Sequence, residues 1–444
     1  MFRTKPPRFA GLMAAQFVAL VSLIAVAVAP AGAVDIKEIK GKSGVGAYLV
    51  EDYTVPLIAI SISFRGGSTQ DAAGKEGTAS LLTTLLDEGA GELDSQTFQA
   101  KLDEHGIEMG FSAGYDRFTG RLKTLRSTRK EAFELLALAL QKPRFDAEPV
   151  ERMKASLFAR LQRAETNPES LAGKAFRESV FAGHPYARPS KGTVATMPKL
   201  APEDVRALHK RMITRENVTI GIVGAISAEE AQEMIDQVFG GLPEKAKLVD
   251  VPEAKPIIGE TKQIEQNVPQ SVIRLAVSGM KRSDPEFYAA YVMNHILGGG
   301  SFSSRLYTEV REKRGLAYGA YSFMATYDYA GVLGAGSATR ADRASKTIEI
   351  MQAEFKRMAE EGPTPEEFER AKKYIIGSYA ISNLDSSSKI AEVLVAIQTE
   401  NLGIDYIDKR RDYIGSVTIE QTKQAAKKLL MQKPTIVVVG RTGS

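Results

Sequence analysis

The feature that most constrains this chain is that it runs through one structural plan twice. In the first half an apolar run, Leu57–Phe64, leads to the helix-like segment Thr78–Leu86. Phe98–His105, the pair Gly106-Ile107 and the alternating segment Glu108–Leu125 follow. The second half repeats the series as Val272–Val277, Pro285–Leu297, Arg305–Arg314, Gly315-Leu316 and Tyr318–Gly336. Each half continues into long helical patterns, Arg129–Leu140 with Ala147–Ala164 and Ala341–Ala359 with Thr364–Ser382. Each closes on a β-branched strand ending at glycine, Asn217–Gly224 or Pro434–Gly440. Phe133, Leu136, Ala137 and Leu140 share one face at i, i+3, i+4 and i+7 spacing, which is helical. Thr364-Pro365-Glu366-Glu367 combines a cap, an N1 proline and acidic first-turn residues, so a helix starts there. Strands such as Ser61-Ile62-Ser63-Phe64 alternate, which suits an antiparallel sheet covered on one face. The expected fold class is α+β, in two tandem related lobes.

Arg3, Lys5 and Arg8, the apolar stretch Phe17–Val28 and the small residues Ala31-Gly32-Ala33 make residues 1–33 a secretory signal peptide. A retained membrane anchor is the alternative, disfavoured by the short apolar core before a cleavage pattern. The expected domains are then 34–240 and 262–444. They are joined by a linker at 241–261 that is rich in Pro, Lys and Glu and shows no sustained period. Removing the signal leaves 55 basic against 54 acidic residues, net +1 from the full chain's +4. A near-neutral chain without Trp gives no case for nucleic-acid binding. Cys is absent, which excludes disulfides, thiolate nucleophiles and Cys-ligated metal. The predicted compartment is outside the cytoplasm, the periplasm if the source is a diderm bacterium.

Residues 74–89, Gly-Lys-Glu-Gly-Thr-Ala-Ser-Leu-Leu-Thr-Thr-Leu-Leu-Asp-Glu-Gly, follow the turn Arg65-Gly66-Gly67-Ser68. This layout resembles the metal-binding region of the pitrilysin and mitochondrial-processing-peptidase family, the inverzincins, whose active members carry His-x-x-Glu-His on this helix. The resemblance spans nearly all of the chain after the signal, and implies that the two lobes form one half of a clamshell. The matching positions here are Ser80, Thr83 and Thr84. Ser80 and Thr84 keep the spacing of the two zinc ligands but offer neutral hydroxyls, which bind zinc weakly. Thr83 stands where the general base belongs, and a hydroxyl is too weakly basic for that role. Family spacing places the third ligand at Arg160, within Phe158-Ala159-Arg160 and ahead of Asn167-Pro168, and an assisting Glu near Met153. Only four His exist, His105, His184, His209 and His295, none paired at ligand spacing, and Asp87 with Glu88 point apart on a helix. No metal is expected on this chain.

The second half reads Gly298-Gly299-Gly300-Ser301-Phe302-Ser303-Ser304-Arg305-Leu306, then Val310-Arg311-Glu312-Lys313-Arg314-Gly315-Leu316-Ala317-Tyr318. Taken alone, the glycines describe a flexible loop between helices, and a phosphate cradle lacks its Gly-Lys-Ser/Thr. By resemblance, active relatives aim an Arg and a Tyr seven residues apart at the substrate carbonyl, and Arg311 and Tyr318 have that spacing. A guanidinium and a phenol are suitable donors to a developing oxyanion. Against this stand the ordinary roles, Arg311 as a solvated helix charge and Tyr318 as the first residue of a strand.

The resemblance implies a non-catalytic, substrate-binding subunit of an exported heterodimeric zinc metallopeptidase. A homologous partner with intact His-x-x-Glu-His would hold the zinc. This chain would be inactive alone, supplying Arg311 and Tyr318 to the shared site while Gly298, Gly299, Gly300 and Ser301 contact the peptide or gate its access. The rival expectation is a peptide-binding or scaffold protein of the same fold without enzymatic function.

Overall fold

The computed structural model describes residues 34–442, so the signal peptide expected at residues 1–33 lies outside them. The first lobe contributes strands β1 (Lys37–Lys40), β2 (Gly46–Glu51), β3 (Leu57–Arg65), β4 (Glu108–Ala113), β5 (Arg117–Leu125) and β6 (Val218–Gly224). The second contributes β7 (Thr261–Ile264), β8 (Gln270–Ser278), β9 (Ala317–Thr326), β10 (Gly331–Arg340) and β11 (Thr435–Val439). Their spatial orders are β1-β2-β6-β3-β5-β4 and β7-β11-β8-β10-β9. Without the edge strand β1, the two orders match strand for strand. The one parallel pair also recurs, β2 with β6 and β7 with β11, while the other pairs are antiparallel. Side-chain detail repeats too. Phe111 on β4 stands opposite Gly120 on β5, and Phe323 on β9 opposite Gly334 on β10. In each case the ring covers the glycine, a cross-strand pairing that shields a strand without a side chain.

The helices follow the expected periods. Helix Arg129–Gln141 buries Phe133, Leu136, Ala137 and Leu140 together. Helix Pro365–Asn383 begins with a capping box, in which Thr364 Oγ accepts the Glu367 N–H at 3.2 Å and Glu367 accepts the Thr364 N–H at 2.8 Å. Segment 241–260 holds neither strand nor helix, and β7 starts at Thr261.

The strands depart from the expectation of one covered face. Ile58 through Phe64 of β3 are all buried, because a helix of the other lobe crosses the face that would otherwise be wet. Helix Ser387–Thr399 lies on β3 and β6 of the first sheet, and helix Pro168–Val180 lies on β8 and β11 of the second. The exchange needs close approach. A Cβ at Gly221 would stand 2.3 Å from the Ala391 carbonyl oxygen, and Gln398 donates to the Ile220 carbonyl at 2.9 Å. On the other side, Ala172 and Ala175 let their helix settle on Val272, Ala276, Val437 and Val439. The β4–β5 and β9–β10 turns also meet. Asp116 accepts the Tyr186 hydroxyl at 2.8 and 2.9 Å and the Asp328 N–H at 3.1 Å, and Arg117 pairs with Asp328. Residues from Ile36 onward therefore form one compact unit.

Candidate functional site

In the first lobe, the helix expected over 78–86 is regular only through Thr83 and then tightens into turns. Its start is fixed by Asp71, whose buried carboxylate accepts the N–H groups of Gly77 and Ala79, each at 2.8 Å. Burial pushes the Asp71 carboxyl up to about 7, against the pull of those two donors and of Arg188. Ser80, Thr83 and Thr84 are half-buried. The Thr83 hydroxyl donates to the Ser80 carbonyl at 2.7 Å, and the Thr84 hydroxyl to the Leu81 carbonyl at 2.9 Å. Helix Ala147–Ala164 packs against this helix, with Met153 turned to the core and Arg160 exposed.

These residues do not fit zinc. Two of the three hydroxyls are committed to their own helix, and the third ligand position carries a fixed cation, where zinc needs an anion or a neutral nitrogen. Glu88 is taken by Arg152 at 2.6 Å and Ser95 at 2.5 Å, and burial raises the pKa of the Asp87 carboxyl. His184 accepts the Tyr186 N–H at 3.1 Å, and His209 lies 2.8 Å from the Leu140 carbonyl oxygen. Among the described residues no group of three or more His, Asp or Glu is placed to hold a metal ion.

In the second lobe, helix Phe287–Asn294 widens into a π turn, His295–Gly299, followed by the single turn Ser301–Ser303. The triple glycine is therefore a shaped turn rather than a free loop. Gly298 is buried where a Cβ would stand 2.3 Å from the Ser322 nitrogen on β9, and the buried Asn294 accepts the Ser322 hydroxyl at 2.7 Å beside it. Gly299, Ser301 and Phe302 are exposed, Gly300 is half-buried, and Ser301 adopts a left-handed φ of 50°. The chain then turns through Arg305–Tyr307 into a second π turn, Thr308–Glu312. Buried Arg305 anchors this stretch by a bidentate pair to Glu367, at 2.8 and 2.6 Å, and a bond to the Gly362 carbonyl at 2.9 Å.

Arg311, on the second π turn, and Tyr318, at the start of β9, come together. The guanidinium donates to the Tyr318 carbonyl at 2.9 Å, and its carbon lies 4.2 Å from the centre of the Tyr318 ring. The same carbon lies 5.2 Å from the Tyr307 ring, and Phe302 meets Tyr307 edge-on at 5.1 Å. Tyr318 itself is 83% exposed, so its phenol projects into solvent. Glu309 on the same turn is engaged by Lys313 and Arg314, and among the described residues no carboxylate pairs with Arg311. Chemically this is a cation with open donors beside a free phenol, positioned by aromatic packing. The sequence pointed to Arg311 and Tyr318 but not to Tyr307 or Phe302. The i, i+4 spacing of Tyr307 and Arg311 was the available signal.

The family model for the insulinase peptidases, peptidase family M16, matches residues 48–194, and that for the peptidase M16 inactive domain matches residues 199–375. The crystal structure of a peptidase M16 inactive domain from Pseudomonas fluorescens is similar at 30% identity and a TM-score of 0.87, covering 92% of this chain and 98% of that one. A protein named non-peptidase homolog YmxG from Helicobacter pylori is 24% identical over 77% of this chain and 79% of its own length. An uncharacterized zinc protease of Streptomyces coelicolor is 24% identical over 84% of this chain and 83% of its own length. With its first half matched to the insulinase model and its second to the inactive domain, this chain belongs to peptidase family M16.

Proposed function

We propose that this chain is the non-catalytic, substrate-binding subunit of a heterodimeric zinc metallopeptidase of the M16 family, exported from the cytoplasm. A homologous partner with intact His-x-x-Glu-His would hold the zinc and supply its Lewis-acid chemistry. This chain's residues bind and orient the peptide. The Arg311 guanidinium donates to the scissile carbonyl oxygen, and the Tyr318 phenol adds a second donor as negative charge grows there. Such donors act most strongly where water is excluded, as between two closed clamshell halves. The carrying observation is the contrast between lobes. Ser80, Thr83 and Thr84 are poor partners for a metal, while Arg311 packs against Tyr318, whose ring is exposed.

In the reconstituted pair, Arg311→Ala and Tyr318→Phe are each expected to lower kcat/KM about 10²-fold, the usual scale for one oxyanion donor. Full activity in the double variant sinks the shared-site reading. The Arg311 bond to the Tyr318 carbonyl favours a second reading, in which the pair is structural and the chain is a non-enzymatic peptide-binding scaffold. That outcome shows as loss of thermal stability at unchanged turnover per folded molecule.

A further inference from the structure

The first lobe holds a second concave site, which includes neither the degenerate metal positions nor the Arg–Tyr pair. A pocket of about 290 Å³ opens where the end of helix Arg129–Gln141 meets helix Pro202–Met212 and the start of segment 241–260. Its floor is apolar, with Leu140, Phe145 and Leu242 buried, and its rim carries the exposed cations Lys142, Arg206 and Lys210. An apolar cup with a few polar groups at its mouth, at the small end of ligand-pocket sizes, is the usual form of a small-molecule site. None of the residues lining it is acidic. Among the described residues neither Lys142 nor Lys210 pairs with a carboxylate, and Arg206 has only the exposed Glu203, at 3.8 Å. The neighbouring acids are engaged elsewhere, Asp146 by Arg144 at 2.6 Å and Glu244 by Arg215 at 4.0 Å.

A helix C-terminus would ordinarily repel an anion through its free carbonyl oxygens. Here the nearby carbonyls are paired. Leu138 accepts the Lys142 N–H at 2.8 Å, and Leu140 accepts from the His209 ring, also at 2.8 Å. Burial lowers the His209 pKa, so that ring is neutral at neutral pH and carries its proton on the nitrogen facing Leu140. The Arg144 and Phe145 carbonyls accept from the Arg206 guanidinium at 2.8 and 3.1 Å. Both of these bonds come from one terminal nitrogen, so the other donors of the fork stay open. Phe145 completes the arrangement. Its backbone is held at φ 52°, a left-handed conformation that a bulky side chain rarely adopts. Its ring lies 5.7 Å from the Arg206 guanidinium carbon and meets the His209 ring edge-on at 5.9 Å. Arg206 is thereby fixed by two carbonyls and a ring before any ligand arrives, which lowers the ordering cost of binding.

We propose that this pocket binds a carboxylate borne on an apolar body, either the C-terminal apolar residue of a peptide or a free apolar acid. The body fills the cup over Leu140, Phe145 and Leu242, and the carboxylate meets Lys142, Lys210 and the open donors of Arg206. An inorganic anion would leave the apolar floor unused, and a neutral ligand would leave three cations without a partner. The site uses neither Arg311 nor Tyr318, so it stands or falls apart from the shared-site reading.

The test is isothermal titration calorimetry on the purified chain. N-acetyl-phenylalanine stands for a peptide C-terminus and octanoate for a free apolar acid, each measured against its neutral amide. Inorganic phosphate serves as an anion without an apolar body. At least one of the two acids is expected to bind about tenfold more tightly than its amide and than phosphate. A Lys142→Gln/Lys210→Gln double variant should bring that acid within about twofold of its amide. Both lysines are exposed, so the unfolding midpoint of the variant should match the wild type and serves as the folding control. The tighter of the two acids identifies the source of the carboxylate. Binding of neither acid, equal affinity for acid and amide, or phosphate bound as tightly as the acids overturns the proposal. So does a preference for the acid that survives the double variant.

Discussion

Asp71 shows how one residue shapes the helix Thr78–Thr83. Its carboxylate caps the helix start through Gly77 and Ala79, yet burial raises its pKa to about 7. The folded chain thus holds this proton more tightly than the unfolded chain does. The stability it contributes is complete below the ordinary carboxylate pKa and is lost as pH climbs through about 7. Asp71→Asn removes that titration. Relative to the variant, the wild type should therefore lose melting temperature between about pH 5 and pH 8 in scanning calorimetry. Parallel pH profiles would refute the assignment. Arg311 makes a related point about side-chain chemistry. Its planar fork faces aromatic rings while bonding to a carbonyl, so Arg311→Lys should not rescue what Arg311→Ala removes.

At the scale of elements, the second-lobe site depends on two π turns rather than on regular helix. The first brings Gly298 against β9 so closely that any side chain meets the backbone nitrogen of Ser322. A backbone atom of a strand hydrogen-bonded along its length to β10 cannot move aside as a flexible side chain can. Gly298→Ala should therefore cost about 1–3 kcal/mol, read from chemical denaturation, the range for overpacking. A neutral result would mean that the turn relaxes freely and does not fix Arg311. The regular elements are legible in the chain's own pattern. Phe133, Leu136, Ala137 and Leu140 mark a helix face that is buried as expected, and Thr364 with Glu367 marks a helix start that forms both of its capping bonds. The π turns are not legible there, because their widening comes from the fit of His295–Gly299 and Thr308–Glu312 against β9 rather than from local preference.

For the whole molecule, the exchange of helices is the decisive feature. Helix Pro168–Val180 completes the second lobe and helix Ser387–Thr399 completes the first, so neither sheet is fully covered without the other lobe. The chain should accordingly unfold in one calorimetric transition. Two well-separated transitions would show that the lobes are independent. Gly221→Ala, with its Cβ at 2.3 Å from the Ala391 carbonyl oxygen, should lower stability by about 1–3 kcal/mol. It should also speed amide exchange in helix Ser387–Thr399, which reports on the contact directly.

The family resemblance marked Ser80, Thr84 and Arg160 as ligand positions; sequence alone determined the duplicated order of strands and helices and the spacing of Arg311 and Tyr318. These are properties of residue type and local period, which a linear chain displays. Tertiary structure decided which sheet each amphipathic helix covers, since an apolar stripe states that it must be buried but not against what. It also decided that Tyr318 on β9 and Phe302 on the glycine turn gather with Tyr307 around Arg311. Those neighbours come from separate segments, and only packing, which acts through space and not along the chain, makes them one site.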